Sequence, residues 1–492
     1  MSPNLVSAVI SPTEMAAIDK AAAASGLDSF GLMAAAGSAV AAAALRHFPD
    51  ALRFVVLCGP GNNGGDGYIA AARIAESGAG TAVFALGDPL SLRGDAARAH
   101  DQCPLKPALL ASFIPLPGDV IIDALFGAGL SRSVPDEVAT VMRHVTALDL
   151  PVLAVDLPSG VDGRTGGVLG ESFAACRTVT FVARKPGHLL LPGRTLCGAL
   201  EVIDIGIPQR IVDAHHGSLR ENTPQIWRKQ ATVLDASAHK YKRGHLAVFS
   251  GGPLSTGAAR LSASAGLASG AGLVTLATPD AAVPANAAHL TAVMLKMVET
   301  ASDLKTWLED KRISAFVLGP AFGDMAKAHE YVALLRNRHL VLDADGITAF
   351  RDDPEALFDL FAEGTTRLVM TPHDGEFARL FPDLAKNPAL SKVERAIAAA
   401  RRSHAVIVFK GADTVIADPD GRAVINTNAP PWLATAGSGD VLAGIIGAHL
   451  AQGMPAFESA AAGVWRHGEA GKEAGEGLTA ETLVQAIRPL HP

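Results

Sequence analysis

Short apolar runs rich in β-branched residues recur along the chain, each separated from the next by a helix-length stretch. In the first half they are FVVLC at 54–58, TAVFAL at 81–86, DVIIDALF at 119–126, PVLAVDLP at 151–158, TVTFVA at 178–183 and LEVIDIGI at 200–207. Continuous rather than alternating apolar runs predict strands covered on both faces, as in a parallel sheet between two helix layers. The second half restarts the pattern with HLAVFSGG at 245–252, GLVTLATP at 272–279, AFVLGP at 315–320, HLVLDADG at 339–346, RLVMTPHDGEF at 367–377 and AVIVFKGADTVIA at 405–417. The halves share no clear repeat in these motifs, so the pattern predicts two different three-layer αβα domains of the α/β class rather than a duplication.

The punctuation between the runs supports this division. Ser11-Pro12-Thr13-Glu14 reads as a capping box with proline at the first helical position, opening a helix towards Gly26 that a second Ala-rich helix follows. From Pro208 to about Ala238 the periodicity breaks into HHGS, ENTP and a polar stretch. This reads as a linker, with domains at 1–217 and 218–492.

Composition narrows the function classes. At 492 residues the chain is long enough for at least two cores of the common ~150-residue size. With 49% hydrophobic and 18% charged residues it can bury enough surface to fold throughout. A net charge of -7 without a basic cluster excludes a global field for nucleic acid. Cys58, Cys103, Cys176 and Cys197 have neither zinc-ligand nor disulfide-framework spacing, which favours a reducing compartment. MSPNLVSAVISPTEM lacks a signal peptide's basic start and apolar core. The most apolar stretch, Gly31 to Leu45, falls short of the ~20 residues that span a bilayer. A cytoplasmic protein acting on small molecules, without membrane or nucleic-acid partners and assembled as a homo-oligomer, is the expectation.

Candidate chemistry collects where apolar runs end. GNNGGDG at 61–67 follows FVVLC and precedes a helical pattern, and its glycines and asparagines read as a binding loop whose backbone N–H groups would face a phosphate. The spacing is not GxGxxG. DALFGAGLSR at 123–132 and AVDLPSGVDGRTG at 154–166 end two further strands, and all three segments would converge beyond the carboxyl edge of the sheet. Asn63, Asp123 and Ser159 offer oxygen ligands for a hard cation. In the second half, GSGDVLAG at 437–444 places Asp440 at the electropositive start of an apolar helix. That arrangement suits phosphoryl transfer, with the carboxylate accepting the proton of the attacking hydroxyl. LGPAFG at 318–323, LDADG at 342–346, TPHDGEF at 371–377 and KGADT at 410–414 end apolar runs on the same rim.

The first set of motifs, together with MAAIDKAAAASG and LMAAAG, resembles the NAD(P)H-hydrate epimerase domain. The resemblance implies a Rossmann-like fold and potassium held by Asn63, Asp123 and Ser159. It implies that the hydrated dinucleotide is bound by Asn62, Asn63, Gly64, Gly65 and Asp66, by the segment Gly127, Ala128, Gly129, Leu130, Ser131, Arg132 and Ser133, and by Asp156. Asp156 is the expected acid/base, because epimerisation at C6 needs the departing hydroxyl protonated while the ring nitrogen lone pair expels it. Lys185 matches a lysine common in the family, and Ala34 stands where the family usually carries an acid.

The second set resembles the ADP-dependent NAD(P)H-hydrate dehydratase of the ribokinase-like superfamily. This implies that Lys410, Gly411, Ala412, Asp413, Thr414 and Gly439 hold the adenine nucleotide. It implies that Ala258, Gly319, Ala321, His373 and Asp440 hold the hydrate, with Asp440 as catalytic base. Magnesium is expected to bridge the diphosphate oxygens. Ala321 replaces a glycine of the family's GPG loop, and His239-Lys240-Tyr241 replaces its His-Lys-Gly. Together the two resemblances imply a repair enzyme that epimerises the R and S forms of hydrated NAD(P)H. It would dehydrate the S form at the expense of ADP, giving AMP and phosphate. A small-molecule kinase sharing GSGD, or a non-catalytic ligand sensor, are the competing readings.

Overall fold

Along β1 (Arg53–Cys58), Phe54, Val56 and Cys58 enter one apolar layer and Val55 and Leu57 the other. Side chains alternate along a strand, so two apolar sets require a helix layer on each face. The same logic runs through β4 (Asp119–Ala124), β5 (Val152–Val155) and β6 (Arg177–Phe181), while β2 (Thr81–Ala85) is part-buried and the edge strands β3 (Ala108–Leu109) and β7 (Ala199–Ile203) are exposed and half-buried respectively. These seven strands form one parallel sheet in the order β3-β2-β1-β4-β5-β6-β7. The order reverses at β1, and in such sheets the crevice at the reversal, beyond the carboxyl ends, receives ligand.

The computed structural model describes residues 7–231, 240–488 and 490. The chain divides into two compact units, Met1–Leu219 and Arg220–Pro492. In the first, helix Pro12–Ala24 opens with the expected capping box on Ser11. Helix Ser29–His47 has the length and apolarity to cross a membrane, being longer than the Gly31–Leu45 stretch. Its Phe30, Met33, Ala36, Val40 and Ala44 are nevertheless buried in the first core, so packing accounts for its composition.

The second sheet has ten strands, β8 (Leu219–Glu221), β9 (His245–Phe249), β10 (Leu273–Thr278), β11 (Met294–Met297), β12 (Ala315–Leu318), β13 (His339–Leu342), β14 (Leu368–Met370), β15 (Val406–Phe409), β16 (Val415–Ala417) and β17 (Ala423–Ile425). Their order is β11-β10-β9-β12-β13-β14-β15-β16-β17-β8. From β11 to β15 neighbours are parallel, whereas β15, β16 and β17 pair antiparallel. The parallel pattern thus stops at this edge. AVIVFKGADTVIA is two strands joined by a short turn through Gly411, a connection only antiparallel neighbours allow. Helices Ser438–Ala451 and Ala456–Ala474 pack their apolar faces into the core on one side of the sheet.

The segment from Pro208 onward is not a bare linker. It carries helix Gln209–His215, β8 and helix Pro224–Trp227, whose Trp227 is buried and stacks obliquely on Trp465. Residues 232–239, and with them His239 of the His-Lys-Tyr departure, lie outside the described residues. All four cysteines are free.

Candidate functional site

The first site is a cavity of about 680 Å³ at the carboxyl ends of β1, β4 and β5. Asn62, Asn63 and Asp66, the segment from Gly127 to Arg132, Asp156 and Lys185 line it. Asp19 and Met33 complete the wall from the first two helices. GNNGGDG is not a loop: Gly61 is the N-cap and helix Asn62–Glu76 begins at once. Gly64 and Gly65 are buried away from the cavity. A Cβ on Gly64 would overlap the carbonyl oxygen of Gly59, so this glycine lets the helix start press against the end of β1. Ser133 is exposed and outside the cavity wall. Gly64, Gly65 and Ser133, expected to contact ligand, thus do not line the cavity; Gly64 serves helix–strand packing, and a Cβ on Gly65 would meet Met33 and Ala96 of neighbouring helices.

Asp156 is the most constrained residue of this site. It sits in the left-handed region at φ 66°, sparsely populated by non-glycine residues and held only where surroundings over-determine it. Its Oδ1 accepts from Lys185 Nζ at 2.7 Å and Thr180 Oγ1 at 2.8 Å, and its Oδ2 from the Ala128 N–H at 2.8 Å. The His188 ring bridges the pair, Nε2 lying 2.7 Å from the Asp156 carbonyl oxygen while Nδ1 accepts from the Lys185 N–H at 2.8 Å. Burial opposes ionisation of Asp156, but the Lys185 ammonium and these donors outweigh it and hold the carboxyl well below the usual range. Burial also depresses the His188 imidazole, to about 4, with the Lys185 charge adding to it. An ionised carboxylate with donors on both oxygens is suited to anchoring its neighbours, in contrast to the proton donation expected of Asp156.

Asp123 and Ser159 lie buried beneath the cavity floor. Ser159 donates to Asp123 through its N–H at 2.7 Å and its Oγ at 2.6 Å. Burial pushes the Asp123 carboxyl up to about 6 against these hydrogen bonds. Asn63 completes the expected cation set, and its buried Nδ2 has no partner among the described residues.

The second site forms where β12 to β15 end. Lys410, just past β15, donates to Asp343 Oδ1 at 2.8 Å and lies 3.8 Å from Glu376 Oε2. Thr371 Oγ1 shares Asp343 Oδ1 at 2.7 Å. Burial disfavours the Lys410 charge, but Asp343 and Glu376 prevail and hold the ammonium above its ordinary value. Asp440 lies in the first turn of helix Ser438–Ala451, after the left-handed N-cap Gly437 at φ 82°. Burial, with the Asp343 charge adding and Lys410 opposing, pushes the Asp440 carboxyl up to about 6. A side chain on Gly439 would face Lys410 Nζ and Asp343 Oδ2, so the bare backbone leaves space beside the pair.

The remaining predicted residues are distributed around this cluster. Ala258 is in the first turn of helix Thr256–Ala268, whose Ser262 Oγ donates to the Asp440 carbonyl oxygen at 2.7 Å. Gly319, at φ 129°, follows β12, and a Cβ there would overlap the Asp343 carbonyl oxygen. Ala321 takes the left-handed conformation, φ 48°, that a glycine would hold without strain. His373 caps helix Asp374–Leu380: its Nδ1 accepts from the Gly375 N–H at 2.9 Å, its Nε2 lies 3.4 Å from Glu376 Oε1, and more than half of the side chain is exposed. Gly411 and Ala412 are exposed, Asp413 pairs with Lys392 at 2.6 Å, and Thr414 Oγ1 donates to the Gly411 carbonyl at 2.7 Å.

Several participants carried no assigned role in the sequence. Asp343 and Glu376 belong to LDADG and TPHDGEF, whose strand-end positions were the available signal. Lys392 and Asp19 lie in ordinary helical patterns, and Thr180 and His188 within apolar or loop stretches, so nothing in the one-dimensional pattern separates them.

Comparison with known proteins covers both units. A family model described as NAD(P)H-hydrate dehydratase matches residues 246–489, and one described as YjeF-related protein N-terminus matches 29–187. The bifunctional NAD(P)H-hydrate repair enzyme of Moorella thermoacetica is 36% identical over 492 residues, covering 95% of this chain and 92% of that protein. The protein of the same name from Escherichia coli is 32% identical over 455 residues, covering 90% and 85%. Among solved structures, a ribokinase-like superfamily protein from Enterococcus faecalis aligns with 25% identity and TM-score 0.47, covering 55% of this chain and 94% of that one.

Proposed function

The chain belongs to the bifunctional NAD(P)H-hydrate repair enzymes, and from that premise we propose that its first unit interconverts the C6 epimers of hydrated NADH and NADPH while its second dehydrates the S epimer, consuming ADP and yielding AMP and phosphate. The observation that carries the reading is Asp440 in the first turn of a helix, within electrostatic reach of the Lys410–Asp343 pair, in a chain whose other unit holds a lined cavity. Asp440, ionised near neutrality, takes the proton of the C6 hydroxyl as its oxygen attacks the terminal phosphoryl group of ADP. The free N–H groups of the helix start and the Lys410 ammonium receive the charge that develops on the phosphoryl oxygens. Phosphate then leaves C6 with the bonding pair as the ring nitrogen lone pair presses in, and loss of the C5 proton restores the double bond. KGADT, from Lys410 to Thr414, and Gly439 face the nucleotide; Ala258, Gly319, Ala321 and the exposed His373 ring face the hydrate.

In the first unit, Asn62, the Gly127–Arg132 segment and Asp156 bind the hydrated dinucleotide, with Asp156 anchoring Lys185 at the cavity wall. Asn63, Asp123 and Ser159 offer an all-oxygen set for a hard cation, Ser159 Oγ already lying 2.6 Å from Asp123 Oδ1. Potassium bound there would supply the positive charge that a buried Asp123 carboxylate lacks. Magnesium arriving with the nucleotide would neutralise diphosphate oxygens, and Asp343 and Glu376 are the carboxylates suited to it. Exposed Leu109, Ile114 and Leu116 beside the edge strand β3 suit a homo-oligomer, and four free cysteines suit the cytoplasm.

The test is near-UV absorbance recovery after adding the purified protein, ADP and magnesium to mixed hydrate epimers. Complete recovery faster than spontaneous epimerisation is the expected result. Rapid recovery of the S fraction alone would remove the epimerase half of the reading, and no recovery with ADP or ATP would remove both.

A further inference from the structure

The geometry points to Asp66, rather than the anchored Asp156, as the group that protonates the departing C6 oxygen and takes the proton back from the water that replaces it. This rests on the reading of the first unit as an epimerase. Every oxygen of the Asp156 carboxylate is engaged: Lys185 and Thr180 on Oδ1, the Ala128 N–H on Oδ2. Lys185 is itself buried and spent on Asp156, Thr180 Oγ1 and the Phe181 carbonyl. A pair so bonded can release a proton only by dismantling its own network, at a cost of several kcal/mol for an uncompensated buried charge.

Asp66 stands differently. It projects from helix Asn62–Glu76 into the same cavity, half-buried, and its carboxyl has no hydrogen-bond partner among the described residues. The charged groups facing it are Asp156 and Lys185 from the strand ends and Asp19 from helix Pro12–Ala24, with Asp95 and Arg132 elsewhere on the wall. Burial, then the charges of Asp156 and Asp19, hold this carboxyl well above the ordinary range, Lys185 opposing. Of the two carboxyls, its surroundings favour the protonated form and those of Asp156 the ionised one. The contrast is the one that separates acid from anchor in paired-carboxylate sites.

The step balances with this single group. The C6–O bond breaks with its electron pair going to oxygen, which takes the Asp66 proton and leaves as water, while the ring nitrogen lone pair forms a C=N bond to C6. Water then adds to the other face of C6, its oxygen forming the new bond and its proton returning to the Asp66 carboxylate. Nothing is consumed, as an epimerisation requires.

The test uses the full chain without ADP, so that the second unit is silent, and follows pure S hydrate of NADPH towards epimer equilibrium by chromatography. Asp66→Asn keeps the size and a hydrogen-bonding amide but cannot deliver the proton, so kcat should fall by about 100-fold or more. Its KM should stay close to wild type, and S-hydrate dehydration with ADP added should be unchanged, which reports a folded chain. Asp66→Glu should recover part of kcat. The wild-type rate should fall as pH rises through the elevated Asp66 pKa, and the Asp66→Asn residual rate should be flat. An Asp66→Asn chain that keeps kcat within a few-fold, or whose whole loss is in KM, overturns the assignment. A wild-type chain with no interconversion overturns the epimerase reading instead, whatever the variants do.

Discussion

Asp156 and Asp440 look alike from the chain: each lies at the rim of a parallel sheet, one after an apolar run and one at a glycine-flanked helix start. Their surroundings give them opposite chemistry. Lys185, Thr180 and the Ala128 N–H saturate Asp156 and keep it ionised, whereas burial and the Asp343 carboxylate bring Asp440 up to about 6 with Lys410 only partly offsetting them. A carboxylate's role is set by what faces it, so one becomes an anchor and the other a proton acceptor able to work near neutrality. Both units also place a lysine beside an acid, but the first closes that pair into the wall while the second leaves Lys410 beside the open backbone of Gly439.

The sharpest way to break this comparison is to neutralise each acid. Asp440→Asn should lower S-hydrate dehydration by about 10²–10⁴-fold and leave epimer interconversion at its wild-type rate. The two assays above, run on one protein preparation, check it; equal loss of both activities would mean the units do not act separately. Lys185→Met strands the Asp156 carboxylate in its buried position and should destabilise the first unit by about 3–5 kcal/mol. Calorimetry should then show an earlier transition for that unit, with dehydration intact at temperatures below it.

A pH profile sharpens the contrast. Asp440 must be ionised to accept a proton, and its carboxyl titrates at about 6 rather than at the ordinary 3.8. kcat/KM for dehydration should therefore rise with pH through about 6 and then level, moving with Asp440 and not with Asp156, which stays ionised throughout. Constant activity down to the ordinary carboxylate range would contradict the Asp343–Asp440 coupling. The smallest effect concerns backbone strain in the second unit. Ala321→Gly relieves a left-handed alanine at φ 48° while loosening the unfolded chain, and should raise stability by about 0.5–1 kcal/mol, read as a higher Tm.

Much of this was legible in one dimension. Runs such as FVVLC and AVIVF declared strands buried on both faces, and their ends declared the rims. Motif spacing also placed Asn62, Asn63, Asp66 and Asp156 on one cavity and Lys410, Gly439 and Asp440 on one cluster. The GNNGGDG segment was read as a loop because glycines and asparagines signal turns, yet close packing against Gly59 makes it a helix start. KGADT ends the VIVF run as expected, but the return arm Val415–Ala417 was not set apart as a strand of its own, because AVIVFKGADTVIA is apolar on both sides of the turn.

The sequence by itself determined the two-unit α/β architecture and the rims on which chemistry could sit, because hydrophobic period and glycine placement are local properties. Only the tertiary structure decided which acids hold protons. Asp343 lies 67 residues from Lys410, and Lys185 lies 29 residues from Asp156, so the fields that shift these groups come from chain neighbours that folding alone brings together. Proton affinity depends on burial and on charges a few ångströms away, and neither quantity exists until the sheet has assembled.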